Sequence, residues 1–181
     1  MGFIGWDIST SVIGVTYFND DGDWCWSRHL DLNKGKKGRT LLEKGEYLES
    51  QMNLLYPSDE SYDHHFIEDK LAGFTPGFSN AKTLMSLGAF NLLCSWIIKK
   101  NFGLYLESMT HIHPSTVKSV LKIKKAKGED KKMVTLSLVV AHEPHFTVDL
   151  TKTGKPKLYM FDRADSYCIA WAGMRKFHAK R

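Results

Sequence analysis

Residues 3–18 read FIGWDISTSVIGVTYF, a stretch rich in β-branched and aromatic residues with small residues at its centre. This composition predicts a first strand over residues 3–9 and its continuation over residues 12–18. Asp7 interrupts the apolar run and therefore lies inside or just past a strand. An acid at such a position is a candidate functional residue.

Three further acids lie at the ends of predicted segments. Glu68 closes the apolar stretch Phe66-Ile67, and Asp162 and Asp165 open the last helical segment. The i, i+3 spacing of this pair puts both carboxylates on one helix face. Acids also stabilise a helix start through its dipole, so capping is the alternative role for the pair. Together with Asp7, these acids predict metal-dependent chemistry.

Length and composition bound the class of protein. The chain has 181 residues, of which 43% are hydrophobic, which suits one domain with a substantial core. No apolar run approaches the roughly 18 residues of a membrane span, and no signal-like segment opens the chain. We expect a soluble, intracellular protein. Its three cysteines cannot all pair, and their apolar neighbours favour buried, reduced thiols; they are Cys25, Cys94 and Cys168.

Positive charge is concentrated in a few segments. The formal net charge is +5 and the pI is near 9.0. Residues 118–132 carry seven lysines against two acids, a second cluster holds Lys34, Lys36, Lys37 and Arg39, and a third ends the chain. Such runs are usually solvated surface. Three of them on a small domain with an acid cluster favour contact with nucleic acid.

Periodicity and turn signals predict the remaining elements and an α/β domain with a mixed sheet. We expect a hairpin turn at 20–23, strands at 24–32, 64–68 and 104–109, and helices at 40–55, 79–100, 114–120, 130–142 and 162–177. A hairpin turning at Thr153-Gly154-Lys155 is expected within 145–161. No repeat or linker is present, so residues 1–181 form a single domain.

The order of these motifs resembles that of the RuvC-type Holliday junction resolvases, within the ribonuclease H-like superfamily. Residues 5–10, GWDIST, are similar to the first-strand motif, and Ile67-Glu68 to the second acidic strand end. Residues 113–118 and the Gly-rich turn at 127–131 resemble the lysine-containing segments. Residues 162–166, DRADS, match the closing Asp-x-Ala-Asp helix. The resemblance covers nearly the whole chain.

Two features depart from that pattern. Bacterial members usually have Pro-Gly after the first Asp, where this chain has Ile8-Ser9, which favours a distant viral or organellar branch. The segment at about 144–161 reads as a hairpin insertion. Members also place an aromatic residue near the loop after the Glu to pack against separated bases. Here Leu71 occupies the nearest position, so either Phe74 or Phe78 takes that role or the aromatic is absent. A core anchor is the alternative role for both phenylalanines.

The resemblance implies a ribonuclease H-like fold, with a mixed five-stranded sheet flanked by helices, and a structure-selective DNA endonuclease. Its substrate would be branched DNA, namely four-way junctions, cut by a homodimer in the cytoplasm, or in an organelle or host cell if the protein is viral. Flap, fork or RNA–DNA hybrid cleavage at the same site, or non-catalytic DNA binding, are the alternatives.

The resemblance and the chemistry of the acids also predict roles for individual residues. Two Mg²⁺ ions roughly 4 Å apart, replaceable by Mn²⁺, would neutralise the acid cluster. Asp7 would bridge them, Glu68 and Asp165 would complete one site, and Asp162 the other. Lys118 and Lys131 would touch phosphates near the cut. Further DNA contacts are expected from the basic runs, at Lys124, Lys125, Lys127, Lys36, Lys37 and Arg39.

Overall fold

The structure is a computed structural model that describes residues 1–55, 64–69, 81–103, 108–124 and 126–180. Its strands are β1 (Phe3–Ile8), β2 (Val12–Phe18), β3 (Trp24–Asp31), β4 (His64–Glu68) and β5 (Met109–Ile112). Its helices are α1 (Leu41–Leu55), α2 (Ala81–Phe102), α3 (Pro114–Val120), α4 (Lys131–His142) and α5 (Tyr159–His178).

The strands form one mixed sheet in the order β3-β2-β1-β4-β5. β1, β2 and β3 pair antiparallel, as hairpin-connected strands do, whereas β1, β4 and β5 run parallel. Parallel strands need crossover connections, and α2 lies between β4 and β5 in the chain. The predicted mixed five-stranded sheet flanked by helices is confirmed.

Each face of the sheet has its own core because successive side chains of a strand point to opposite sides. Phe3 and Phe66 belong to the cluster that contains the buried residues of α5. Ile4 and Ile67, one residue further along their strands, belong to the other cluster with the buried residues of α1 and α2. Since both faces are covered, β1 is buried along its whole length.

α2 is long and apolar enough, by length and composition alone, to cross a membrane. This differs from the expectation that no apolar run approaches the length of a membrane span. Phe90, Cys94 and Ile98 of this helix are fully buried against the sheet in the second cluster. One face of α2 therefore packs into this core, although only 39% of the apolar stretch is buried.

α5 approaches the sheet closely because two strand residues have no side chain. A Cβ at Gly5 would lie 2.3 Å from the carbonyl oxygen of Ser166, and one at Gly14 would lie 2.0 Å from that of Asp162. Neither distance is sterically tolerable, so glycine at these two positions sets the depth of the helix.

Several boundaries differ from the sequence predictions. Residues 3–18 form two antiparallel strands, and the Ser9 hydroxyl closes the turn between them by donating to the Val12 carbonyl oxygen at 2.6 Å. The strand predicted at 104–109 lies later, at Met109–Ile112, and residues 104–107 lie outside the described part. α5 begins three residues before the predicted start, at Tyr159.

Two further expectations need correction. Around Thr153-Gly154-Lys155 the chain makes only an isolated bridge, between Leu150 and Pro156, so the predicted hairpin is limited to its tip. Cys25 is exposed, contrary to prediction, whereas Cys94 and Cys168 are buried, and none of the three forms a disulfide. Cys25 lies near the start of edge strand β3, next to the turn after β2.

Candidate active site

Asp7 lies near the carboxyl end of β1, on the sheet face that α5 covers. It follows Gly5 by two residues, and Gly5 contacts the backbone of Ser166 and Ala170. Only 4% of Asp7 is exposed. A carboxylate this deeply buried beside a helix start is a typical position for a functional acid.

Glu68 lies beside Asp7 on the neighbouring parallel strand. The register pairs Trp6 with Ile67, so the next residues, Asp7 and Glu68, are adjacent at the strand spacing of about 4.8 Å. Glu68 shares its face with Phe66, whose ring meets α5 at Gly173. The amide of Asn91, from α2, donates to the Glu68 carbonyl oxygen at 3.1 Å and fixes this strand end.

α5 runs antiparallel to β1, which places its acidic first turns at the carboxyl end of the strand. Phe177, near the helix end, makes a ring contact of 5.5 Å with Phe3 at the strand start. At the other end, the Asp162 backbone lies against Gly14, which pairs with Asp7. The structure therefore brings Asp162 to the same end of the sheet as Asp7.

Asp165 completes this set because it lines a cavity together with Glu68. The cavity has a volume of about 160 Å³ and lies between α3, α4 and α5. Lys118 of α3 and Lys131 of α4 line it too. Two acids and two lysines that are far apart in sequence thus face one another, as a phosphodiester bound near metal ions would require.

Local capping places the two lysines. His113 caps α3, where its Nδ1 accepts a hydrogen bond from the Ser115 N–H at 3.1 Å, and Pro114 opens the helix. Asp130 caps α4 by accepting from the Lys132 N–H at 2.8 Å. Lys118 therefore lies one turn into α3 and Lys131 at the first residue of α4.

A buried hydroxyl network anchors the start of α5 to β2 and β3. The Thr16 hydroxyl lies 2.8 Å from that of Ser166 and 2.7 Å from that of Ser27. The Trp24 indole N–H donates to Ser27 at 3.0 Å. Because buried hydroxyls need partners, this network fixes the height and rotation of the helix that carries Asp162 and Asp165.

The site is apolar behind its charged rim. Val117, Ile123, Val134 and Ile169 line the cavity. Burial, reinforced by the charge of nearby Asp165, raises the pKa of the Cys168 thiol. Without a bound metal, this thiol therefore stays protonated at neutral pH.

The donor set suits a hard divalent cation, but the side chains are not gathered for one. Carboxylate oxygens are the ligands that Mg²⁺ and Mn²⁺ prefer. Among the described residues, no three His, Cys, Asp or Glu side chains are grouped closely enough to hold an ion. The backbone places the four acids at one end of the sheet, and ion binding would require their carboxylates to rotate towards one another.

The other residues predicted to bind DNA have varied positions. Lys124 and Lys127 are exposed in the segment between α3 and α4, and Lys37 is exposed before α1. The Lys36 ammonium lies 2.6 Å from the Glu43 carboxylate. The Arg39 guanidinium donates to three backbone carbonyl oxygens and lies over Tyr47, so it stabilises its own loop. Lys125, Phe74 and Phe78 lie outside the described residues.

Sequence reasoning missed the residues that position the acids and one cation beside them. Thr16, Ser27 and Ser166 read as ordinary small residues, and only their contacts show the network. Arg163 stands between Asp162 and Asp165, where a guanidinium half-buried at the sheet surface is unusual. The only available signal was a cation inside the acidic motif.

Comparison with solved structures identifies the fold. RuvC of Thermus thermophilus in complex with Holliday junction substrate matches with a TM-score of 0.64, over 99% of this chain and 96% of that chain, at 13% identity. The chain has the fold of RuvC. A second T. thermophilus RuvC structure matches this RuvC-like chain with a TM-score of 0.61, over 99% and 96%, at 14% identity.

One viral structure overlaps less well. The Fowlpox virus resolvase in complex with substrate Holliday junction DNA gives a TM-score of 0.47 at 13% identity, over 98% of this chain and 99% of that chain. No protein-family model and no curated protein matches the sequence. The RuvC-type, ribonuclease H-like fold predicted from four short motifs is confirmed by the structural matches to RuvC.

Proposed function

We propose that this chain is a Mg²⁺-dependent, structure-selective endonuclease that resolves four-way DNA junctions. The observation that carries the proposal is the meeting of Glu68, Asp165, Lys118 and Lys131 around one cavity. Asp7 and Asp162 lie at the same end of the sheet. The RuvC fold, and a RuvC structure described with a Holliday junction, support the choice of substrate.

The residues present divide the work by charge. Lys118 and Lys131 would hold the phosphodiester against the acids by charge-assisted hydrogen bonds. Asp7, Glu68, Asp162 and Asp165 would hold two Mg²⁺ ions. When bound, the metals supply an activated water and stabilise the leaving oxygen. The apolar back wall limits the water around the phosphate, which strengthens each charged contact.

Catalysis also requires that the surrounding structure hold the four acids in position. Asp7 and Glu68 stand on adjacent strands, whose spacing the ladder fixes. Asp162 and Asp165 depend on the depth of α5, which the glycines and the hydroxyl network set. We therefore expect the acids to adjust only at their side-chain torsions when metal binds.

A homodimer would supply the two cuts that a four-way junction needs, with the sites related by a twofold axis. An exposed apolar stripe on α2 suits such an interface, because Met85, Leu92 and Trp96 are 73%, 72% and 57% exposed and share one helix face. Light scattering of wild-type protein and of Leu92→Glu tests this part. A wild-type monomer at micromolar concentration, with or without junction DNA, would contradict it.

The decisive experiment is single-turnover cleavage of a labelled four-way junction with and without Mg²⁺. Asp7→Asn should abolish cleavage and retain junction binding, because it removes a metal ligand without changing shape. Asp21→Asn is the matched control, since Asp21 is exposed in the turn at the opposite end of the sheet. A fully active Asp7→Asn protein would refute the assignment of the site.

The substrate is tested with a panel of equal-length DNAs. Faster cleavage of a flap, a fork or an RNA–DNA hybrid than of the junction would replace the proposed substrate while keeping the site. Tight junction binding without scission, across a titration of Mg²⁺ and Mn²⁺, would instead make the chain a binding module. Symmetric nicks in opposite strands are the result expected of a resolving dimer.

A further inference from the structure

A second cavity lies on the other side of α5, at the outer edge of the sheet. Its volume is about 420 Å³, and it is enclosed by β3, α1 and the start of α5. Arg28, His29 and Lys34 line it together with Arg163. Asp31 is the only acidic residue of its lining. The cavity therefore carries net positive charge.

Arg163 is the most unusual residue of this cavity. Its Nε is buried and has no hydrogen-bond partner. The guanidinium lies 5.0 Å from the centre of the Phe146 ring, and one terminal nitrogen lies 3.4 Å from the Met160 sulfur. Burial lowers the pKa of Arg163, because the charged guanidinium is partly removed from water.

The described residues supply no close counter-charge to Arg163. Within the described part of the chain, no carboxylate lies within 4 Å of its guanidinium. Asp149 acts on it only from a distance and already accepts a hydrogen bond from the Tyr159 hydroxyl at 2.6 Å. A desolvated cation in this situation is destabilising unless an anion arrives.

Two other cations, Arg28 and Lys34, line the same cavity and are positioned to contact such an anion. Arg28 donates to the carbonyl oxygens of Leu54 and Leu55 at 3.1 and 2.9 Å, which leaves its charge uncompensated but its position fixed. Lys34 is exposed in the turn after β3. Asp31 accepts from the Asn33 N–H at 2.9 Å.

The position of Arg163 links this cavity to the candidate active site. At 3.6 residues per turn, a side chain next to Asp162 points about 100° away from it. The contacts agree, because Asp165 lines the cavity beside β4 whereas Arg163 lines the one beside β3. One helix turn thus presents acids to one side and a guanidinium to the other.

We propose that this cavity binds a backbone phosphodiester of the DNA arm next to the strand that is cut. The inference rests on the proposed function, since it takes the DNA to lie across α5. Arg163 would form a forked contact with the phosphate, and Lys34 would add a point charge at the mouth. The cavity would then fix the register of the junction relative to the acids without reading bases.

The test is the salt dependence of junction binding without divalent metal, for Arg163→Gln, Lys34→Gln and wild type. Each lost phosphate contact should lower the slope of log K against log salt concentration by about 0.9 and weaken binding several-fold at low salt. Lys180→Gln removes the same charge from an exposed position just after the end of α5, far from the cavity, and should keep the wild-type slope.

Wild-type slopes for both cavity variants, with a wild-type protein that binds and cuts the junction, would overturn this inference and leave the proposed function standing. If Arg163→Gln fails to fold, Lys34→Gln decides alone, because Lys34 is exposed. Inorganic phosphate should also shift the NMR resonance of the Arg163 Nε–H. A shift in a protein that binds no junction would refute the proposed function and the DNA assignment together.

Discussion

The substitution Gly14→Ala tests whether the depth of α5 controls catalysis. Gly14 pairs with Asp7 across the β1–β2 ladder and touches the backbone of Asp162. A methyl group at this position pushes the start of the helix away from the strand that carries Asp7. No charged or metal-binding group is changed.

The structure sets the size of the displacement. The added Cβ would lie 2.0 Å from the Asp162 carbonyl oxygen and 2.5 Å from its carbonyl carbon. An ordinary contact begins at 3.4 Å, so this backbone must move by about 1.4 Å. A misplacement of about 1 Å can lower a rate by about 100-fold, and overpacking costs about 1–3 kcal/mol of stability.

Single-turnover cleavage of a four-way junction in Mg²⁺ measures the effect, at a temperature where circular dichroism shows the variant folded. Gly173→Ala is the control, because its Cβ would press on the Phe66 ring at the far end of the same interface, at 2.3 Å. It should destabilise the protein similarly and lower the rate much less. A folded Gly14→Ala protein with wild-type cleavage would refute the reasoning.

Three further predictions concern stability and reactivity. Thr16→Val removes one hydrogen-bond partner from each of two buried hydroxyls, those of Ser27 and Ser166, and should lower the free energy of unfolding by about 1–3 kcal/mol in urea, unlike the exposed Thr110→Val. Burial lowers the pKa of His29 and His142 in the folded state below their value of about 6.5 in the unfolded chain. As the pH falls through this range, the unfolded chain therefore binds more protons than the folded protein. The free energy of unfolding should fall as the pH drops from about 7 toward 5, and a urea-unfolding midpoint that rises over this range would contradict the prediction. A thiol reagent should label Cys25 alone in the native protein and all three cysteines in denaturant, which mass spectrometry checks.

Local patterns were sufficient to predict most elements because their signals lie within one segment. The apolar spacing of residues 40–55 predicts α1, and Thr40 with Glu43 forms its capping box. The strand at Met109–Ile112 was misplaced because only Ile112 of it is buried. A short edge strand is defined by pairing with β4, which no local pattern records.

The candidate site was predictable in its charged residues and unpredictable in its supports. Acids at segment ends are visible in the sequence, and so are lysines in runs. The role of Gly14 depends on a helix nearly 150 residues away in the chain. The same is true of Thr16, whose partner Ser166 comes close only when the helix docks. Single residues of this kind carry no pattern that periodicity could detect.

The direction of α5 explains why the chemistry lies where it does. Because the helix runs antiparallel to β1, its first turns reach the strand ends that carry Asp7 and Glu68. A helix of the same sequence that ran parallel to β1 would place Asp162 and Asp165 at the opposite end of the sheet, beside Phe3. The glycines of β1 and β2 admit the helix only in the observed position, since their contacts are with specific backbone atoms of Asp162, Ser166 and Ala170. The packing of α5 on the sheet therefore both completes the core and assembles the candidate site.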